Sequence, residues 1–151
     1  MTPIEALLAR DACLQAMTAY CTHLDAREED RFVALFTDDV VFSIGGKEII
    51  GHPAIRESIR TRPASILSWH LVLNHRIDIH GEDRAEGKAV GLVVRGTRDR
   101  ETWPMPIRGV ELLMHYRMLF RREGANWLIE RCETSRRLDV DVPPVPVKEM
   151  T

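Results

Sequence analysis

The sequence lacks several features that mark whole classes of protein. It has no apolar run of the roughly 20 residues that a membrane-spanning helix needs, so no membrane partner is expected. Its three cysteines, Cys13, Cys21 and Cys132, are scattered and odd in number, which argues against a disulfide framework or a metal-binding motif. Basic and acidic residues nearly balance, at 21 and 23, so a nucleic-acid partner is not expected either.

What the chain does contain fits one globular domain. It has 151 residues, and 44% of them are hydrophobic, which is enough for a core. We expect the domain to span residues 1–138 and the Pro-rich segment 139–151 to form an extended tail. The acidic Glu5 and the lack of a cleavage-site pattern argue against a signal peptide. Buried, reduced thiols and a cytoplasmic location are therefore expected.

Apolar periodicity predicts helices in the first part of the chain. Apolar residues recur every three or four positions over 4–24, which predicts a first helix. A second, short helix would carry Phe32, Leu35 and Phe36 and end at 37–39. Pro53 suits the first position of a third helix. Asp25 and Glu28 have capping-box spacing, so Asp25 is a candidate N-cap of the second helix.

The rest of the sequence predicts strands. Residues 40–44 and 47–50 would form a hairpin around Gly45-Gly46, and four long strands are expected over 68–80, 84–96, 107–122 and 127–138. This order predicts an α+β fold in which about three N-terminal helices pack on a curved, mainly antiparallel sheet. Such a fold would be cone-shaped and would enclose a pocket.

Two details bear on that pocket. In the strand over 68–80, His70 and Val72 share one face, whereas Ile77 and Ile79 share the other. If both pairs face inward, the strand needs a β-bulge between them, which we expect near His75-Arg76. Small residues share one face of the next strand, so something bulky can approach that face: Ala85, Gly87, Ala89 and Gly91.

Several local motifs carry a family resemblance. The pattern Y-x4-D closes the first helix, and LFTDDVVF, GHPAI and WHLVLN follow. In this order they resemble the SnoaL-like branch of the nuclear-transport-factor-2-like superfamily, and above all scytalone dehydratase and the bile acid dehydratases. The resemblance covers residues 5–137. It implies a homo-oligomer, with a trimer favoured and a dimer possible, and a small hydrophobic molecule as partner.

The resemblance also implies site residues. The dehydratase Asp corresponds to Asp25, the pocket His to His70, and the Tyr of the bile acid dehydratases to Tyr20. Arg131 matches an Arg on the last strand, and Asn74 and Tyr116 are further candidates for substrate binding. The chain departs from scytalone dehydratase because Arg95 stands where that enzyme has a second His, and because Met114 and Tyr116 replace polar residues. The arrangement with a single pocket His resembles that of the bile acid dehydratases more closely.

These residues suit a cofactor-independent dehydratase. His70 could remove a proton beside a carbonyl and return it to the departing hydroxyl, with Asp25 fixing its tautomer and Tyr20 donating a hydrogen bond. No cofactor and no metal are required. Alternatives are a non-catalytic ligand-binding protein, the small subunit of an aromatic-ring-hydroxylating dioxygenase, or an isomerase or cyclase.

Each candidate residue also has a purely structural interpretation. On that interpretation Asp25 is a helix cap, Tyr20 is a core residue, and His70 is a buried histidine bonded to backbone. Asn74 could satisfy backbone groups at the bulge, and Arg131 could pair with an acidic neighbour. Trp103 is either a core residue or a cover for the pocket mouth.

Overall fold

The computed structural model describes residues 1–44, 46–97, 104 and 107–139. Helices α1, α2 and α3 span Pro3–Ala26, Glu29–Val33 and Gly51–Arg60. The strands are β1 Phe36–Ile44, β2 Lys47–Ile50, β3 Ile66–Ile79, β4 Arg84–Thr97, β5 Ile107–Glu123 and β6 Asn126–Asp139. The predicted Pro-rich tail beyond Asp139 lies outside the described residues, as does the predicted cover Trp103.

The six strands form one sheet in the order β2-β1-β6-β5-β4-β3. Only the β1–β6 pair is parallel, among the strands described, and every other neighbouring pair is antiparallel. The sheet is curved and does not close, and α1 packs across its concave face. This confirms the predicted α+β fold. None of the described helices is long and apolar enough to cross a membrane.

Helix α1 is capped at both ends. The Thr2 hydroxyl accepts from the backbone N–H of Glu5 at 3.2 Å, and the Glu5 carboxylate accepts from the Thr2 N–H at 2.6 Å, which makes a capping box. At the other end Arg27 adopts a left-handed conformation with φ of 57°. The helix therefore extends past Asp25, and its last turn carries Asp25 against the sheet.

Three local predictions need correction. Asp25 lies inside α1, and the N-cap of α2 is Glu28, so Asp25 does not cap the second helix. Strand β1 begins at Phe36 and includes residues 37–39, which were predicted to end a helix. Helix α3 begins at Gly51, whose φ of 77° suits glycine, so Pro53 is the third residue of the helix, whereas the prediction placed it first.

The bulge in β3 is confirmed. Pairing between β3 and β4 shifts register between Leu73 and Arg76, and Asn74 adopts a φ of 51° there. Such a bulge bends the strand and switches the parity of its side chains. As a result His70 and Ile77 can both face the concave side, although residues seven positions apart on a regular strand would face opposite sides.

The small residues of β4 allow close packing, as predicted. The ring of Tyr116 on β5 lies directly against Gly91, and an added Cβ at Gly87 would come within 2.9 Å of the Met17 sulfur. Behind this layer five rings pack edge to face or tilted: Tyr20, Phe32, Phe36, Phe42 and Tyr116. This aromatic cluster fills one part of the concave side.

The convex face of the sheet carries apolar and charged residues. On β3, Trp69, Leu71 and Leu73 are 43–45% exposed in the single chain. Leu113 and Leu119 on β5 are half-buried beside His115 and Arg117. A homo-oligomer that covers this face, as a trimer or a dimer, stays a prediction.

Candidate active site

Asp25 and His70 meet on the concave side although they lie 45 positions apart. Asp25 Oδ1 is 2.6 Å from His70 Nδ1, and Asp25 Oδ2 accepts a hydrogen bond of 2.6 Å from the His70 backbone N–H. Both side chains are largely buried, with 13% and 11% of their surface exposed. The carboxylate thus fixes the ring and the backbone of His70 at once.

This geometry selects one tautomer of the imidazole. A carboxylate only accepts hydrogen bonds, so His70 Nδ1 carries the proton that it shares with Asp25. In neutral imidazole the other nitrogen, Nε2, then keeps its lone pair. Nε2 makes no hydrogen bond to the described residues, so it is available as a base.

Two further residues hold the carboxylate, and neither was singled out from the sequence. The Ser68 hydroxyl donates to Asp25 Oδ1 at 3.0 Å, and Arg62 Nη2 donates to the Ser68 oxygen at 2.7 Å. Arg62 Nη1 also donates to the carbonyl of Leu24 at 2.9 Å. Asp25 therefore lies at the centre of a hydrogen-bonded network that includes a cation.

Arg62 is a partly buried charge. Burial lowers the pKa of its guanidinium, and the nearby Asp25 carboxylate opposes that shift. The backbone of Arg62 is held in turn by Arg27, whose Nη1 donates to the Arg62 carbonyl at 2.8 Å. Arg27 also donates to the carbonyls of Pro63 and Ile66, so it joins the end of α1 to the start of β3.

A second ion pair lies on the same inner wall. Ser68 pairs with Arg95 in the β3–β4 register, and His70 pairs with Val93, which is fully buried. Side chains two apart on a strand share a face, so Arg95 is on the side of Ser68 and His70. Arg95 Nη1 is 2.8 Å from a carboxylate oxygen of Glu111.

A cleft of about 550 Å³ borders this network. It runs between the last turns of α1 and the first half of β3, and its walls include Asp25, Ser68 and His70. A drug-sized molecule occupies a site of roughly this volume. The paired side chains are therefore next to space that a small molecule can enter.

Tyr20 lies in the aromatic cluster. It is 2% exposed, and its ring packs against Phe32 and Tyr116 at centroid distances of 5.1 and 5.9 Å. Burial raises the pKa of Tyr20 well above its ordinary value, and Arg62 lowers it only in part. Its side chain makes no hydrogen bond to Asp25 or His70 among the bonds of the described residues, so its predicted proton donation is unsupported by contacts.

Tyr116 occupies a different position in that cluster. Its hydroxyl contacts only the Met114 sulfur, at 4.0 Å, among the described residues. Burial raises the pKa of Tyr116, and the charge of Asp25 contributes to the rise, so the hydroxyl lies within electrostatic reach of Asp25. Because sulfur is a weak acceptor, this hydroxyl keeps its capacity to donate.

Arg131 does not lie in this site. In the β5–β6 register it pairs with Leu119, between the inward-facing Met118 and Phe120, and it bonds Glu133 at 2.6 Å and Glu48 at 2.8 Å. Its predicted contact with a substrate inside the cone is therefore corrected to an ion pair on the convex face. Arg131 was a site candidate through the family resemblance, and pairing with an acidic neighbour was its structural alternative.

Asn74 is exposed at the bulge and borders a second cavity of about 620 Å³, on the convex side with Lys88 and His115. Its left-handed backbone gives a structural reason for the residue, since Asn tolerates positive φ better than most residues. A role in substrate binding stays a prediction.

The thiols and the remaining histidines have structural partners or surroundings. Burial raises the pKa of Cys13 and Cys21 to about 12, which keeps these thiols protonated and unreactive near neutral pH. His23 is 2.6 Å from a Glu28 oxygen, and His52 Nε2 is 3.1 Å from the Phe36 carbonyl. Within the described ranges, no three His, Cys, Asp or Glu side chains group as a metal site would require.

Comparison with known proteins agrees with this architecture. The sequence model of the SnoaL-like domain matches residues 5–133. The chain belongs to the SnoaL-like family. Among curated proteins, none matches this SnoaL-like chain.

Solved structures share the fold of this SnoaL-like protein. One, named provisionally as a scytalone dehydratase from Novosphingobium aromaticivorans, is 22% identical over 99% of this chain and 100% of its own, with a TM-score of 0.76. A hexachlorocyclohexane dehydrochlorinase is 15% identical over 95% of each chain, with a TM-score of 0.80. A protein of unknown function from Mycobacterium tuberculosis is 22% identical over 97% of this chain and 83% of its own, with a TM-score of 0.76.

Proposed function

We propose that this SnoaL-like protein is a cofactor-independent lyase that eliminates water from a hydrophobic β-hydroxy carbonyl compound. The observation that carries the proposal is the pair formed by Asp25 Oδ1 and His70 Nδ1 at 2.6 Å beside a cleft. The names of two solved relatives, a dehydratase and a dehydrochlorinase, support it. Loss of water and loss of HCl are both eliminations that remove a proton and a leaving group from adjacent carbon atoms.

In the proposed reaction His70 Nε2 removes a proton from the carbon beside the carbonyl. The electron pair of that C–H bond forms the enolate, and the negative charge moves to the carbonyl oxygen. When the enolate collapses, the carbon–carbon double bond forms and the C–O bond to the hydroxyl breaks. The His70 imidazolium returns its proton to the departing oxygen, so water leaves and the base is regenerated.

Asp25 has two roles in this scheme. Its Oδ1 stabilises the imidazolium that forms after the first proton transfer, because opposite charges 2.6 Å apart in a shielded site attract strongly. Its Oδ2 accepts a hydrogen bond from the His70 backbone, so the imidazole is already oriented before the reaction begins. Ser68 and Arg62 act through Asp25 and are positioning residues.

Tyr116 is the proposed hydroxyl donor, and Tyr20 is assigned to packing. The Tyr116 hydroxyl has only a weak sulfur acceptor, so a substrate oxygen would be a better partner than any that it has now. Tyr20 is 2% exposed among the rings of the aromatic cluster and makes no hydrogen bond to Asp25 or His70 among the described residues. Val72 and Met114 pack against the apolar cluster that contains Tyr116, and such surroundings favour a hydrophobic substrate.

The test uses 3-hydroxy-1-tetralone, an aromatic β-hydroxy ketone that loses water to give 1-naphthol. We expect the protein to accelerate 1-naphthol formation, and His70→Gln to lower kcat about 10²–10⁴-fold because it removes the base. His115→Gln is the matched control, since His115 is exposed on the convex face and should leave the rate unchanged.

Three results would contradict the proposal. The His70→Gln protein could retain the full rate while circular dichroism shows an intact fold. A product with the mass of the substrate would indicate an isomerase instead of a lyase. Tight binding of several hydroxy ketones without any turnover would indicate a non-catalytic binding protein.

A further inference from the structure

We propose that Arg95 forms an oxyanion site, in which its guanidinium donates from the buried Nε to the carbonyl oxygen of the substrate while His70 removes the proton. The inference rests on the proposed function, and it adds a substrate-binding residue to it.

The first observation is a donor without a partner. Arg95 Nε is buried and has no hydrogen-bond partner among the described residues. A buried donor that lacks an acceptor costs free energy, and native structures rarely leave one without a reason. An oxygen atom of a bound ligand would supply the missing acceptor.

The second observation concerns the ion pair with Glu111. Arg95 Nη1 is 2.8 Å from Glu111 Oε2, yet that oxygen has no hydrogen-bond partner. The pair is therefore close without the alignment of a hydrogen bond. The carboxylate offsets the charge of the guanidinium and leaves its N–H groups free to donate elsewhere.

The third observation is placement. Arg95 pairs directly with Ser68, which donates to Asp25, and it is diagonal to His70 across the β3–β4 ladder. Diagonal neighbours in an antiparallel pair are about 7–8 Å apart, a gap that one carbonyl group and its neighbouring carbon can bridge.

Glu111 is the extra residue of a β5 bulge, since Val93 pairs with Leu112 and Val94 with Val110.

Electrostatics indicates the same proximity. Burial is the main reason that the pKa of Arg62 is lowered, and the positive charge of Arg95 adds to the lowering. The two guanidinium groups are thus within electrostatic reach of each other on one wall. Arg62 already donates to Leu24 and Ser68, whereas Arg95 Nε has no acceptor among the described residues.

The charges on this wall favour the enolate oxygen. Two carboxylates, Asp25 and Glu111, are opposed by three guanidinium groups, Arg27, Arg62 and Arg95, so the wall carries an excess positive charge before reaction. Removal of the substrate proton makes the substrate oxygen negative. Such a wall stabilises the enolate more than the neutral ketone from which it forms.

The test uses 4-nitrophenol, whose phenolate resembles an enolate oxyanion and reports its own ionisation by absorbing visible light. We expect the wild-type protein to bind the phenolate in preference to the phenol. Arg95→Gln should weaken phenolate binding about 10–100-fold, as expected for loss of a charged donor. Glu111→Gln should tighten it, because the offsetting negative charge is gone.

Arg117→Gln is the matched control. Arg117 is on the convex face and pairs with Glu86 and Glu133, so its loss should leave phenolate binding unchanged. Arg95→Lys serves as a second variant if Arg95→Gln does not fold. It keeps the charge but not the Nε donor, and its binding should lie between that of wild type and Arg95→Gln.

Equal phenolate affinity in wild type and in either folded Arg95 variant would overturn the inference, as would binding of the phenol alone. The outcome is separate from that for the proposed lyase. If phenolate binding depends on Arg95 while 3-hydroxy-1-tetralone stays intact, the oxyanion site stands and the lyase proposal fails.

Discussion

The two faces of the sheet carry the same kinds of charged residue in different surroundings. On the convex face, Arg117 and Arg131 share Glu133, and these side chains are 34–45% exposed. On the concave face, Asp25 and His70 are 13% and 11% exposed, whereas the Arg95–Glu111 pair there is as exposed as the convex pairs. Exposed ion pairs contribute little because water competes for both partners, whereas shielded pairs hold a fixed geometry.

This difference separates two uses of charge. In the convex network Glu133 is shared, since Arg117 contacts Glu86 and Glu133 while Arg131 contacts Glu48 and Glu133. The concave network has one arrangement, in which Arg62, Ser68, Asp25 and His70 follow one another through direct hydrogen bonds. Only the second can hold a base in one orientation, so substitutions on the two faces should differ sharply in effect.

The largest effect is expected for Asp25→Asn. The amide can present an N–H to His70 Nδ1, which would move the imidazole proton to Nε2 and remove the base. We expect kcat for 3-hydroxy-1-tetralone to fall about 10²–10⁴-fold with little change in stability. The variant is isosteric, so a full loss of structure in circular dichroism would instead mean that Asp25 acts mainly through the fold.

A smaller effect is expected for Arg62→Gln. Arg62 holds Asp25 through Ser68 and does not reach the substrate, so kcat should fall about 10-fold while KM changes little. Loss of its bonds to Ser68 and Leu24 should also lower the free energy of unfolding by about 2 kcal/mol. Urea unfolding and steady-state kinetics measure the two effects. An increase in KM alone would place Arg62 in the substrate site.

The smallest effect is expected for Arg131→Gln on the convex face. Its partners Glu48 and Glu133 are half-exposed, so the free energy of unfolding should change by less than about 1 kcal/mol and kcat should not change. Raising the salt concentration should reduce even this difference. A loss of activity comparable to that of Arg62→Gln would remove the distinction between the two faces.

The sequence predicted the fold well because the fold depends on periodicity. The three-to-four spacing over 4–24 gave α1, and the parity switch in 70–79 gave the bulge at Asn74. The local errors occurred where tertiary pairing overrides local preference. Residues 37–39 look like a break, but the pairing of Phe36 with Ile129 on β6 extends β1 back to Phe36.

The site was only partly predictable. Asp25 and His70 came from the family resemblance, and no local rule could place a carboxylate against an imidazole 45 positions away. Arg62 stands before Pro63 at the end of a helix, where an Arg has no unusual signal, and Ser68 is an ordinary strand residue. Their roles depend on how α1, α3 and β3 meet, which periodicity does not determine.

The tautomer of His70 decides whether the proposed base has a lone pair, and nitrogen-15 NMR of the imidazole without substrate measures it. We predict that the neutral ring is protonated at Nδ1 and unprotonated at Nε2, and that Asp25→Asn loses this state. A neutral ring protonated at Nε2 in the wild-type protein would contradict the proposed function, because the base would then have no lone pair.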